Sequence, residues 1–194
     1  MIGVLALQGN YSKHIEILNK LKISSCEVRY NNQLDEINGL IIPGGESTTM
    51  TDLMSRNNFY DKIQLFSQKK PILGTCAGLI MMAKSVLDKR VKPLKILDIE
   101  VDRNAYGRQV HSFINKLPIK LEKDLKTISV PFIRAPQIIK VGKNVEIISY
   151  YNKKPVAVKH GIHMGLAFHP ELNNITIFHD FVFIKQFSSK TYAA

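Results

Sequence analysis

Along the chain, short apolar runs bounded by glycine or proline alternate with stretches of helical spacing. Ile2–Leu7, Leu40–Ile42 and Ile72–Leu73 are continuous apolar runs, which suit strands buried on both faces of a parallel sheet. Between them, Ile15, Leu18 and Leu21 recur at i, i+3, i+6 and predict a helix, and Leu79–Ala83 predicts another running straight on from a strand. Strand, helix, strand, helix is an α/β signature. The second half changes character. Strand-like pieces follow at Ile96–Val101, Thr127–Ile133, Val145–Tyr150, Val156–Lys159 and Gly165–Phe168, with Asn152-Lys153-Lys154 as a hairpin turn. An apolar-rich helix around Ile175–Gln186, with Phe178, Phe181 and Val182 on one face, closes the pattern. These elements predict a three-layer α/β fold: a mostly parallel central sheet, helices on both faces, and an antiparallel extension in the second half.

At about 150 residues per domain, the 194 residues predict one domain, 1–194, with no linker-like stretch or internal repeat. No apolar run reaches the ~18 residues of a membrane-spanning helix. The opening Met1–Gly9 has neither the basic leader nor the cleavage site of a signal peptide and predicts a buried first strand. Two cysteines, Cys26 and Cys76, are too few for a disulfide framework, so the expected compartment is the reducing cytoplasm. The 27 basic and 16 acidic residues give a net charge of +11, which by itself suggests a polyanion partner. Its distribution argues against nucleic acid. Lysines are scattered, and the densest stretch (Lys84, Lys89, Arg90, Lys92, Lys95) is interrupted by Asp88 and lacks aromatics for base stacking. A solvated helix end and loop is the expected reading, with an acidic protein partner as the second.

Chemistry concentrates in three places. In Pro71–Ile80 a short apolar strand runs into Gly74-Thr75-Cys76-Ala77-Gly78 and then into an apolar helix. This is a nucleophile elbow with cysteine in place of serine. It would place Cys76 at a helix N-terminus, which favours a thiolate, above the carboxyl edge of the sheet, where open α/β sheets bind ligands. A cysteine nucleophile needs a base and the base an orienting group. Phe168-His169-Pro170-Glu171 follows the last strand-like run; Pro170 ends the strand, His169 can face the sulfur, and Glu171 can curl back onto the imidazole. The other histidines (His14, His111, His160, His163, His179) have no such setting and read as surface or loop residues. No Cys/His pair has metal-ligand spacing. In Leu40–Thr49 a buried strand ends in Pro43-Gly44-Gly45, after which Ser/Thr residues are placed to cap a helix. The glycines free backbone N–H groups for an oxyanion, and the missing Gly-Lys-Ser/Thr ending excludes a phosphate loop.

Together with Gly3–Gly9, Arg103-Asn104-Ala105-Tyr106-Gly107-Arg108-Gln109 and Phe132-Ile133-Arg134-Ala135-Pro136, these motifs run in one order over roughly Ile2 to Lys185. The set resembles the triad (class I) glutamine amidotransferases, and among them the glutaminase subunits of pyridoxal 5'-phosphate synthase. The resemblance implies hydrolysis of L-glutamine to L-glutamate and ammonia through Cys76, His169 and Glu171 and a thioester, without cofactor or metal. It implies oxyanion donors at Gly45 and Ala77, and substrate contacts from Gly45, Glu46, Ser47, Arg103, Ile133 and Arg134. It also implies a synthase subunit as partner in a hetero-oligomeric complex that receives the ammonia for vitamin B6 biosynthesis, with no role for nucleic acid or membrane. Two positions depart from the family pattern: Lys13 stands where Glu is usual, and His111 where Asp is usual. The rival reading, a cysteine-elbow redox sensor or chaperone-like protein, would need neither His169 nor Glu171.

Overall fold

The computed structural model describes residues 1–104, 112–122 and 124–186. Ala105–Gln109 of the Arg103 motif, and His111, lie outside the described residues. From the N-terminus, β1 (Ile2–Leu5), α1 (Tyr11–Lys20), β2 (Ser25–Val28), β3 (Gly39–Ile42), α2 (Ser47–Arg56), α3 (Phe59–Ser67), β4 (Ile72–Thr75) and α4 (Ala77–Met82) come first. The second half supplies β5 (Ala83–Val86), β6 (Leu97–Asp102), β7 (Phe113–Leu121), β8 (Asp124–Phe132), β9 (Gln137–Val141), β10 (Glu146–Tyr151), β11 (Lys154–His160), β12 (His163–Leu166) and α5 (Ile177–Asp180).

The central sheet has seven strands in the order β10-β11-β12-β4-β3-β1-β2. Neighbours from β12 to β2 are parallel, while β10, β11 and β12 are joined by antiparallel pairing. This is the mostly parallel sheet with an antiparallel extension that the patterning predicts. The strands β1, β3, β4 and β12 are buried along their whole length, the physical reason for their unbroken apolar runs. Each fully buried Leu or Ile there contributes about 1.5–3 kcal/mol. A smaller sheet, β5-β6-β9, and the hairpin β7-β8 complete the strands. At the β10–β11 turn both Asn152 (φ 46°) and Lys153 (φ 63°) are left-handed, the conformation that a two-residue hairpin turn with the sheet's twist requires.

Three local expectations need correction. α1 buries His14, Ile17 and Leu18, with Ile15 and Leu21 half-buried at the side of that face. The basic stretch is a strand and a loop: the amides of Leu94, Lys95 and Ile96 take the carbonyls of Met81, Ala83 and Met82, so the end of α4 is capped and cannot continue. The terminal helix forms as expected, continuous over 177–186, with α5 passing into a π-helical run, Phe181–Lys185; Phe178, Phe181 and Val182 are buried, as their spacing predicts. The strands β2, β5, β7 and β9 have no counterpart in the expected pattern.

The parallel strands all point the same way, so the chain leaves β1, β3, β4 and β12 at one edge. Gln8-Gly9, Pro43-Gly44-Gly45, Cys76 and His169 therefore gather at the carboxyl end of the sheet, the usual ligand crevice of open α/β folds.

Candidate active site

Cys76 sits between β4 and α4 with φ 50° and ψ −103°, a strained conformation for a residue with a side chain. Two contacts hold it there. Its amide donates to the Leu166 carbonyl at 2.8 Å, tying the elbow to the end of β12. Gly78 brings α4 against β3 so closely that a Cβ would stand 1.9 Å from the Ile42 carbonyl oxygen, and a Cβ at Gly74 would stand 2.7 Å from the Gly78 backbone. No larger residue allows this turn. The Cys76 side chain is almost fully buried, its Sγ 3.7 Å from the Ile133 carbonyl oxygen.

His169 is positioned from behind by aromatic packing. Phe168 is fully buried, 5.6 Å edge-on to Phe132 and 5.5 Å from Phe178 between ring centres. The His169 amide donates to Pro131 at 3.0 Å. Pro170 then starts a 3-10 turn, Pro170–Asn173, that folds Glu171 back beneath the imidazole. Nδ1 of His169 lies 2.6 Å from Glu171 Oε1, and the ring lines the same cavity as Cys76. Nδ1 is taken by the carboxylate, so Nε2 serves the sulfur. Burial alone would lower the His169 pKa, but Cys76 and Glu171 outweigh it and lift the value to about 10. Burial opposes ionisation of Glu171, yet His14 and His169 hold its pKa below the ordinary value. At neutral pH the pair is an imidazolium on a carboxylate.

The loop after β3 forms the opposite wall. A Cβ at Gly44 would stand 2.3 Å from Cε1 of His169, and one at Gly45 (φ 149°) 2.3 Å from Oε1 of Gln8. Glu46, not a Ser or Thr, caps α2: its Oε1 accepts from the Thr48 amide at 3.1 Å and the Thr48 hydroxyl at 2.9 Å. The same oxygen accepts from Arg103 Nη2 at 2.7 Å. Arg103 Nη1 also faces Asp88 at 3.5 Å, and Asp88 is held by Arg90 at 2.7 Å. Ser47 is buried, and its hydroxyl has no hydrogen-bond partner among the described residues.

A cavity of about 850 Å³ brings together Cys76, His169, Gly45, Glu46, Ser47, Arg103, Ile133 and Arg134. Ala77 and Glu171 stand behind that surface, one in the first turn of α4 and the other beneath His169. Gln8, Asn10 and Arg90 also belong to the site or its wall, a role that neither the Gly3–Gly9 motif nor the basic stretch assigns them; the Gln8-Gly9 step after the first apolar run is the available signal. The histidine reading needs the largest correction. His14 and His179 are fully buried and His163 is buried, while His160 is half-buried. Their spacing held the clue: His14 lies on the stripe of Ile17 and Leu18, and His179 stands beside Phe178 and ahead of Val182.

Residues 4–189 match the model of the SNO glutamine amidotransferase family. The chain belongs to the SNO glutamine amidotransferase family. It is 48% identical over 184 residues to the pyridoxal 5'-phosphate synthase subunit PdxT of Oenococcus oeni, covering 95% of both chains. To the protein of the same name from Thermosipho africanus it is 41% identical over 181 residues, 93% of this chain and 95% of the other. A crystal structure of a glutamine amidotransferase is 36% identical and superposes with a TM-score of 0.86 over 93% of this chain and 96% of that one. PurLQS from Thermotoga maritima shares the fold at 15% identity, with a TM-score of 0.67 over 92% and 97%.

Proposed function

We propose that this family member is the glutaminase subunit of a pyridoxal 5'-phosphate synthase, working through Cys76, His169 and Glu171. The observation that carries the mechanism is the imidazole of His169, bound to Glu171 at 2.6 Å and lining the same cavity as a strained cysteine. The names of the relatives from Oenococcus oeni and Thermosipho africanus support the partner.

Cys76, as thiolate, attacks the side-chain carboxamide of L-glutamine. A C–S bond forms and the carbonyl electrons move onto oxygen. The backbone N–H groups of Gly45 and Ala77 receive that oxyanion, each worth about 3 kcal/mol. Collapse breaks the C–N bond as His169 gives its proton to the leaving ammonia. The neutral imidazole then takes a proton from water, hydroxide opens the thioester, and glutamate leaves with thiolate and imidazolium restored. Arg134 is exposed and forms no ion pair among the described residues, so it is the freer cation for the substrate α-carboxylate. Arg103, already shared by Glu46 and Asp88, serves by fixing the Glu46 carboxylate, which with Ser47 faces the α-ammonium. The Ile133 carbonyl borders the reacting end.

Ammonia released to bulk water becomes ammonium, which has no lone pair to donate, so a synthase subunit must receive it along a dry path. The deciding experiment measures glutamate and ammonia release with and without that subunit. The expected result is low hydrolysis alone and a marked rise on complex formation. No hydrolysis in either case would overturn the proposal.

A further inference from the structure

Behind Glu171 the core holds two histidines that this chemistry does not use. His14 of α1 and His179 of α5 are both fully buried, 165 residues apart in the chain, with His14 Nδ1 2.9 Å from His179 Nε2. The other nitrogen of His14 lies 3.7 Å from Glu171 Oε2 and 3.3 Å from the hydroxyl of Thr75, the residue before Cys76. Glu171 Oε2 and His179 Nδ1 are buried without a hydrogen-bond partner among the described residues. An ionised carboxylate is expensive to bury with one oxygen unserved.

The proton between the imidazoles can sit in two ways. If His14 carries it on Nδ1, the bare Nε2 lone pair faces the carboxylate, and His179 is left with a buried Nδ1–H that has nothing to bond. If His179 carries it on Nε2, His14 accepts at Nδ1 and presents Nε2–H toward Glu171 Oε2 and Thr75. His179 then keeps only a bare acceptor, less costly to bury than an orphaned donor. The second arrangement is free of both faults, and it aims a dipole at the unserved oxygen. At 3.7 Å this is electrostatic steering that a small shift turns into a hydrogen bond.

We infer that His14, locked in its Nε2–H form by His179, is a positioning residue that keeps the Glu171 carboxylate aimed at His169. The contacts then run from Cys76 through His169, Glu171 and His14 to His179. Burial keeps both outer histidines neutral, lowering the pKa of each. The titratable groups along this path are His169 on the Glu171 segment, His14 on α1, Cys76 beyond one and His179 beyond the other. The strand β8, packed alongside, presents backbone carbonyls: Pro131 to the His169 amide and Ser129 to Asn173.

This inference rests on the glutaminase function proposed for the site, and its test separates the two. Nitrogen-15 spectra of the full chain at neutral pH should show both His14 and His179 protonated on Nε2; His14 protonated on Nδ1 would overturn the inference whatever the activity. In the complex with the synthase subunit, His14→Leu should lower kcat for glutamine by ~10–100-fold, as loss of an outer partner does elsewhere. KM should stay near its native value, and the acid limb of kcat/KM should move to higher pH. His14→Gln, whose amide can donate to Glu171 and accept from His179, should recover most of both. His179→Phe, which keeps the ring but removes the lock, should fall between them. Native kcat and pH profile in His14→Leu would overturn the assignment. So would equal losses in His14→Leu and His14→Gln with matching falls in Tm, which mark a packing role. Should His14→Leu fail to fold, the tautomers and His179→Phe decide. A native complex that hydrolyses no glutamine would sink the glutaminase reading and leave the spectra to judge this one.

Discussion

At 2.6 Å, the bond from His169 Nδ1 to Glu171 fixes the imidazole, and in the proposed mechanism the transferred proton moves on the other side of the ring, toward Cys76. Removing the ring and removing the carboxylate should therefore differ in size. By the behaviour of hydrolase triads, His169→Asn is expected to cost roughly 10⁶-fold in kcat and Glu171→Gln roughly 10⁴-fold. Initial rates of glutamate release by the complex would show this; equal losses would point to a structural role for the whole His-Pro-Glu segment. Cys76→Ala keeps a residue small enough for the elbow but supplies no nucleophile. It should abolish hydrolysis while calorimetry still detects glutamine binding, and native turnover in this variant would remove Cys76 from the chemistry.

The elements set these distances through close packing of α4 on the sheet. A methyl group at Gly78 would collide with the Ile42 carbonyl oxygen at 1.9 Å, and backbone cannot swing aside as a side chain can. Gly78→Ala should therefore lift α4 from β3, destabilising the fold by about 1–3 kcal/mol and lowering Tm by roughly 2–4 °C for each. Thermal melts with activity on the same samples check it; an unchanged Tm means α4 does not need this contact. The same packing explains what could be read in advance. The strands β1, β3, β4 and β12 are buried on both faces, so nearly every position is apolar, Thr75 and His163 excepted, and the runs stand out; the chemical motifs follow directly where those runs end. The edge strand β2 carries half-exposed Ser25, Cys26 and Glu27, β5 exposes Lys84 and Ser85, and β7 turns apolar Ile114 outward and polar Asn115 inward. None of these announces itself locally. The pairing of His14 is hidden for another reason: its partner His179 lies 165 residues away, and only the packing of α1 and α5 brings the rings together.

For the whole molecule, the buried histidines make stability depend on pH with two limbs of opposite sign. His163 begins β12, and its Nδ1 accepts from the Ile72 amide at 3.2 Å, tying β12 to the start of β4. Burial pushes its pKa down to about 4 from an ordinary 6.5. Below pH 6.5 the unfolded chain takes the proton first, so stability is complete above that value and falls as pH drops toward 4. That interval corresponds to about 3 kcal/mol. A protonated Nδ1 can no longer accept from Ile72, so the loss falls on the central sheet. His14 and His179, also lowered by burial, act in the same direction. His169 acts in the other: raised to about 10, its contribution is complete below 6.5 and is lost as pH rises through 10. The two limbs meet near pH 6.5, where these histidines give the greatest stability. Urea unfolding from pH 4 to 10 should trace a dome peaking there. His163→Gln, which can still accept from Ile72 but does not titrate, should flatten the acid limb alone, and His169→Asn the alkaline limb alone. An acid limb in His163→Gln that runs parallel to the native one would show that this buried histidine does not govern the molecule's response to acid.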